Sequence, residues 1–211
     1  MRTAYIGMGA NLPSRAGSPE ATLTAAAARL GALGRLKHRS SLYSTEPVGF
    51  AAQPRFVNAV VELETALEPR RLLEGLLEIE QGFGRDRSAG IANGPRTLDL
   101  DILLLDNVKL DEDGLEIPHP RLSERIFVLL PLHEIAPSVV PAGQRETVSQ
   151  LLHHLEAHYE GKPSHEKEDA AIRIHWPDWI AGPISAGAGR TTPERSGSPA
   201  RPGDPDPYRR G

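Results

Sequence analysis

The sequence contains no cysteine in 211 residues. That excludes a disulfide framework and any zinc site built on thiolates. No apolar run approaches the roughly 20 residues that a membrane-spanning helix needs, and the first residues lack the pattern of a secretory signal. A cytoplasmic protein with no membrane partner is the expectation. Charge of one sign is also missing. The 24 Lys and Arg stand against 28 Asp and Glu, a net charge of −4, which offers no global field for nucleic acid. Aromatic residues are scarce at 5%, so a phenylalanine in a polar stretch stands out. There are no internal repeats. Gly7-Met8-Gly9-Ala10-Asn11-Leu12 lacks the third glycine of a dinucleotide fingerprint, and it reads as a tight exit from a first strand over Thr3 to Ala10.

What is present supports one core, because 39% of the chain is apolar. Ser18-Pro19-Glu20 is a helix start, with a cap, a proline at the first position and an acid in the first turn. Leu23, Ala26, Ala27, Leu30 and Leu33 supply the stripe, and Gly34 is the expected stop. Lys37 to Ser44 and Phe56 to Glu64 read as strands separated by a loop at 45–54. Pro69 opens a second helix with Leu72, Leu73, Leu76 and Leu77 on its buried side. Extending that stripe by four residues lands on Glu80, a carboxylate that needs a partner there. A polar loop holding Arg85, Asp86 and Arg87 follows. After Pro118-His119-Pro120, Ser123 is expected to cap a third helix, which Pro131 kinks or shortens. Thr147 to His158 is a last amphipathic helix. His154 and His158 have metal-compatible spacing but no neighbouring ligands, and they read as surface or packing residues.

Residues 161–211 hold 7 glycines and 8 prolines, a density that marks a largely disordered tail. The expected organisation is a domain over 1–160 and this tail. Trp176 and Trp179 sit in the tail beside Ile172 and Ile174, a short piece suited to docking on the domain or on a partner.

The central stretch is Gly94-Pro95-Arg96-Thr97-Leu98-Asp99-Leu100-Asp101-Ile102-Leu103. Side chains on a strand alternate, so Asp99 and Asp101 share one face, about 6.5 to 7 Å apart. The apolar run after them is that of a buried strand. Two carboxylates at the head of a buried strand repel each other unless a hard cation lies between them, and magnesium takes one or two protein carboxylates with phosphate oxygens. An edge strand with a wet face explains the same alternation. Arg96, three residues ahead, favours a site where metal and phosphate meet.

The same stretch resembles the signature of the 6-hydroxymethyl-7,8-dihydropterin pyrophosphokinase family. The likeness extends in order through Tyr43-Ser44-Thr45, Gln53-Pro54, Asn58-Ala59, Glu80, Arg85-Asp86-Arg87, Pro118-His119-Pro120, Arg125, Phe127 and Pro131-Leu132. It implies a ferredoxin-like α/β sandwich of the α+β class with a mainly antiparallel sheet. It also implies transfer of pyrophosphate from ATP to a reduced pterin, with AMP as the other product, in folate biosynthesis. By resemblance, Asp99 and Asp101 hold two magnesium ions, and Arg85 and Arg96 act with them in catalysis. Glu80, Arg87, Ile102, His119 and Arg125 fall on the ATP side. Thr45, Val48, Phe56, Asn58 and Phe127 form the pterin pocket. The partners implied are two small molecules, with the chain a monomer. The loops at 45–54 and 82–94 are expected to act as lids. Asn93 and Ala92 stand where many relatives have an aromatic and a basic or polar residue, and Gly114 and Glu116 where some place an arginine and a threonine. Two other readings remain open here: an inactive metal–nucleotide binding module, and a two-metal nucleotidyl transferase.

Overall fold

The structure, a computed structural model, describes residues 1–50, 52–86, 94–160 and 171–181. Its centre is β1 (Arg2–Ala10), paired on one side with β4 (Phe56–Thr65) and on the other with β5 (Asp99–Leu105). The far side of β4 carries β2 (Arg35–Arg39) along one half and β3 (Leu42–Thr45) along the other. Every one of these pairings is antiparallel. A hairpin of β6 (Leu110–Glu112) and β7 (Leu115–Ile117) stands apart from the main sheet. The α+β class and the mainly antiparallel sheet follow directly, in a ferredoxin-like arrangement.

Helices cover both faces. The helices α1 (Pro19–Leu30) and α2 (Pro69–Gly82) bury Leu23, Ala26, Leu30, Leu72 and Leu76 on one face, against Ile6, Val61 and Leu63 of the sheet. On the other face α3 (Ile126–Ile135) and α4 (Val148–Glu160) pack Leu129, Leu132, Val148 and Leu152 against Tyr5, Val60 and Leu103. This opposition follows from period-two alternation along β1, β4 and β5. Odd-numbered Tyr5 faces the second layer and even-numbered Ile6 the first.

Several local expectations are corrected. The strand expected over Lys37 to Ser44 is broken at Ser40, whose N–H donates to Val60 O (2.9 Å) and whose Oγ accepts from Val60 N (2.9 Å). That bend divides it into β2 and β3. The helix from Pro19 stops at Gly31, before Leu33 and Gly34. Ser18 does cap it, accepting from Ala21 N at 3.4 Å. Ser123 caps no α-helix: it lies in a short 3-10 turn, Leu122–Glu124, and α3 begins after Arg125. Pro131 sits within α3 without ending it.

Beyond residue 160, β8 (Ile172–Ile174) pairs with β3 and α5 (Pro177–Ala181) follows it, so the tryptophan-bearing piece docks on the domain, one of the two destinations expected for it. Trp179 is 2% exposed in the core that contains α1. Proline and glycine density describes the average of a segment, and a short β-branched and aromatic run within it still buries apolar surface.

Candidate active site

The register of the sheet builds the site. Gly9 of β1 lies between Asn58 of β4 and Asp99 of β5, and Gly7 lies between Val60 and Asp101. The two glycines lie inside the strand expected over Thr3 to Ala10. They leave the floor of a cleft without side chains. A Cβ on Gly9 would approach Asn58 Oδ1 to 3.0 Å, and one on Gly7 would meet Leu103 at 3.2 Å. The cleft encloses about 840 Å³ of space open to solvent. Its walls are Thr45, Val48 and Phe56 on one side and Arg125, Phe127 and Val128 on the other, with Arg96, Asp99, Asp101 and His119 at one end. All five residues expected on the pterin side thus share one cavity. Asn58 Nδ2 donates to Thr45 Oγ1 at 2.7 Å in a buried bond, which fixes both groups in the floor.

A second cavity opens past the same aspartate strand. Ile102 and Leu73 form its apolar side, and Asp111, Glu112, Leu115 and Glu116 of the β6–β7 hairpin form the other. Asp101 and His119 line both cavities.

Asp99 is held by two arginines. Arg85 Nη1 donates to its Oδ1, and Arg96 Nη1 donates to its Oδ2 at 2.7 Å. Arg85 also donates to Glu80 Oε1 (3.1 Å) and to Leu98 O (2.9 Å). Glu80 is 1% exposed and accepts from Leu100 N at 2.8 Å. Expected on the ATP side, Glu80 lines neither cavity. It sits behind β5, where it anchors both Arg85 and the backbone between the two aspartates. Asp101 is pushed up to about 7 by burial, then by the charges of Asp99 and Glu80, with Arg85 and Arg96 only partly opposing them. No group of three or more His, Asp or Glu side chains placed to hold a metal ion occurs among the described residues.

The cationic groups carry further signals. The Nε atoms of Arg96 and Arg125 are buried and lack a hydrogen-bond partner among the described residues, an arrangement that native proteins keep for a reason. Their guanidinium groups lie over aromatic rings, Arg96 over Phe56 (5.1 Å) and Arg125 over Phe127 (5.5 Å). Burial and the nearby Arg125 charge hold His119 below the usual imidazole range. Its Nδ1 accepts from Arg121 N at 3.1 Å, which places the proton of the neutral ring on Nε2. The backbone N–H of His119 donates to Leu103 O (2.9 Å), tying the Pro118-His119-Pro120 segment to β5.

Sequence reasoning missed two residues. Arg121 lines the cleft beside Arg125; a second basic residue after the His119 motif was the available signal. Asn11 is 3% exposed and joins three segments. Its Oδ1 accepts from Arg96 N (2.8 Å), and its Nδ2 donates to Gln53 Oε1 and Pro54 O (both 3.0 Å). Arg87, expected to bind ATP, and the unusual Ala92 and Asn93 lie outside the described residues, as does most of the 82–94 loop.

A family model described as 7,8-dihydro-6-hydroxymethylpterin-pyrophosphokinase matches residues 5–137. This chain belongs to that pyrophosphokinase family. Among its relatives is a protein of Bacillus subtilis named 2-amino-4-hydroxy-6-hydroxymethyldihydropteridine pyrophosphokinase, 44% identical over 138 residues, which are 64% of this chain and 79% of the relative. A Haemophilus influenzae protein of the same name is 42% identical over 159 residues, 73% of this chain and 96% of that protein. Among solved structures, wild-type Plasmodium falciparum HPPK-DHPS superposes with a TM-score of 0.61 at 17% identity, covering 83% of this chain. The chain spans about half of that longer protein, 48% of its length, and at this identity the likeness speaks to the fold. The cleft, the aspartate pair and His119 all fall within the matched residues 5–137.

Proposed function

We propose that this pyrophosphokinase-family chain transfers the pyrophosphoryl group of ATP to the hydroxymethyl group of 6-hydroxymethyl-7,8-dihydropterin, releasing AMP, in folate biosynthesis. The observation that carries the site assignment is that Asp101 and His119 line both cavities. Two substrates seated in the two cavities meet over the aspartate pair. The cleft over β1 and β4 takes the flat pterin: Phe56 and Phe127 are its walls, and Asn58 with Thr45 its fixed polar groups. The cavity under the β6–β7 hairpin takes the nucleotide, with Ile102 and Leu73 as its apolar surface.

Asp99 and Asp101 fit magnesium. The donor set is hard, one carboxylate is buried against two others, and the shortfall of ligands leaves room for phosphate oxygens. We assign both carboxylates to two ions, whose chemistry is neutralisation of charge on the transferring group. The other roles belong to the chain itself. Arg85 and Arg96 must leave Asp99, at least in part, when cations occupy it, and the phosphates are their new partners. Arg96 and Arg125 have unused Nε donors for the same anion. His119 donates from Nε2. The hydroxymethyl oxygen forms its bond to the β-phosphorus as the bond from that phosphorus to the AMP oxygen breaks, and the hydroxyl proton is released. Placement of the acceptor in line, rather than covalent chemistry, supplies the rate. Arg87 remains a proposed ATP contact. A monomeric, cytoplasmic protein completes the reading; among the described residues no helix is long and apolar enough to cross a membrane.

The test is product analysis of the purified protein with ATP, magnesium and the reduced pterin. AMP and a pterin diphosphate in equal amounts are expected. ADP in stoichiometric amount would replace this reading with an ordinary kinase. Free pyrophosphate with a nucleotidylated product would make it a nucleotidyl transferase, and ATP binding without turnover an inactive binding module.

A further inference from the structure

Residues 171–181 lie beyond the family-matched segment, yet they contact β3 and α3, two elements that carry walls of the cleft. Strand β8 pairs with β3, Tyr43 opposite Arg173 and Ser44 opposite Ile172. Without it β3 is an edge strand. The register then runs without interruption from Arg173 through Tyr43, Asn58 and Gly9 to Asp99. Trp179 anchors the segment. Its Nε1 donates to Ser40 O at 2.7 Å, at the bend that divides β2 from β3. Arg39 stacks over the indole (5.4 Å) and donates to Trp179 O (3.1 Å). A second tie runs to the opposite wall. Glu134 of α3 accepts from Ser41 N (2.7 Å), Ser41 Oγ (2.8 Å), Tyr43 OH (2.9 Å) and Arg173 Nη2 (3.0 Å). Helix α3 also carries Phe127.

We propose that residues 171–181 are a positioning clasp for the pterin site: they set β3, with Thr45, against α3, with Phe127. This rests on the assignment of that cleft to the pterin. An uncovered edge strand carries unpaired N–H and C=O groups and is free to fray, and the Ser40 carbonyl at the bend takes its partner from the indole. Thr45 is the next residue along β3 after the paired Ser44, so fraying reaches the Thr45–Asn58 floor first. The nucleotide cavity is built from β5, the β6–β7 hairpin and α2, away from the clasp.

The experiment uses the full chain. Trp179→Ala, Trp179→Phe and Arg173→Ala are compared with the parent for binding of an unreactive dihydropterin analogue and of a non-hydrolysable ATP analogue, well below each variant's melting temperature. Trp179→Ala is expected to weaken the pterin analogue at least about five-fold, the low end of measured site-to-site coupling, with the ATP analogue changed less than about two-fold. Trp179→Phe, which keeps a ring over Arg39 and loses the indole donor, falls between. Linkage is reciprocal, so the pterin analogue should protect the amides of residues 172–174 from exchange by the same factor in the parent. Where Trp179→Ala does not fold, the exposed Arg173→Ala change and the exchange measurement carry the test, with about two-fold weaker pterin binding expected. A lower melting temperature with unchanged pterin affinity would overturn the proposal, leaving an edge cover only. Equal loss for both analogues would overturn it as general loosening. Asn58→Ala in the parent separates the two layers of inference. If it weakens the pterin analogue and the clasp variants do not, the clasp fails alone. If it changes nothing, the pocket assignment fails and the clasp with it.

Discussion

At the scale of single residues, the aspartate pair dominates. Asp99→Asn or Asp101→Asn removes a carboxylate proposed to hold the cations that neutralise developing charge, so turnover should fall at least a hundred-fold, about 3 kcal/mol. Steady-state rates at saturating ATP and pterin check this, and a variant that keeps most of its turnover would refute the metal assignment. The two substitutions should part company in stability. Asp101 is raised from 3.8 to about 7 in the fold. The folded state then binds the extra proton between those values, so the stability Asp101 confers is complete below pH 3.8 and is lost as pH rises toward 7. Asp101→Asn should flatten that decline, which denaturant titrations from pH 4 to 8 without magnesium would record. His119 has the opposite sign. Its folded value is lowered, so protonation works against the fold as pH falls. By NMR its ring should titrate below the ordinary imidazole range in the free protein, and higher once triphosphate is bound.

At the scale of elements, the join between α2 and β5 matters most. Helix α2 presents Glu80 to the backbone of β5 and to Arg85, and a buried carboxylate in that position is compensated on two sides. Breaking a buried pair by removing one charge is costly, because the other charge loses its counter-ion. Glu80→Gln should destabilise the protein by about 3 kcal/mol. It should also lower kcat more than either KM, since Arg85 and Asp99 lose their fixed spacing while neither cavity loses a wall. Thermal unfolding together with a KM-against-kcat comparison tests both halves; a raised KM for ATP with normal stability would return Glu80 to the nucleotide side. The element most open to correction was the 37–44 stretch. Its alternation is that of one strand, and only the hydrogen bonds of Ser40 to Val60 reveal the bend.

At the scale of the whole molecule, two cavities converge on one strand, so folding stability should report the binding of a ligand in either. A ligand that binds only the folded state at a hundred times its Kd adds about 2.7 kcal/mol. The melting temperature should therefore rise with magnesium and ATP, rise further with an unreactive pterin analogue, and lose most of the nucleotide-dependent part in EDTA. A nucleotide shift insensitive to EDTA would mean that Arg96, Arg125 and His119 hold the triphosphate without cations.

The sequence alone determined the helix starting at Pro19, the second helix from Pro69, the strand at 56–64 and the shared face of Asp99 and Asp101. Those features depend on short-range physics: caps, proline geometry and the two periodicities of the backbone. The set of residues around the cleft was also legible, because their order along the chain matches a known family. What the tertiary structure decided was partnership. Gly7 and Gly9 belonged to an expected strand, but only antiparallel pairing set Gly9 between Asn58 and Asp99 and Gly7 between Val60 and Asp101. Glu80 was a carboxylate in want of a partner, and the fold supplied Arg85 and Leu100 N. Asn11 carried no local signal, since its bonds reach residues 42 to 85 positions away. Trp179 lay in a segment whose composition argues for disorder, and a burial site near Ser40 exists only after β2, β3 and α1 have assembled. Composition and periodicity describe what a segment can do by itself, whereas burial and hydrogen-bond satisfaction depend on what the rest of the chain brings to it.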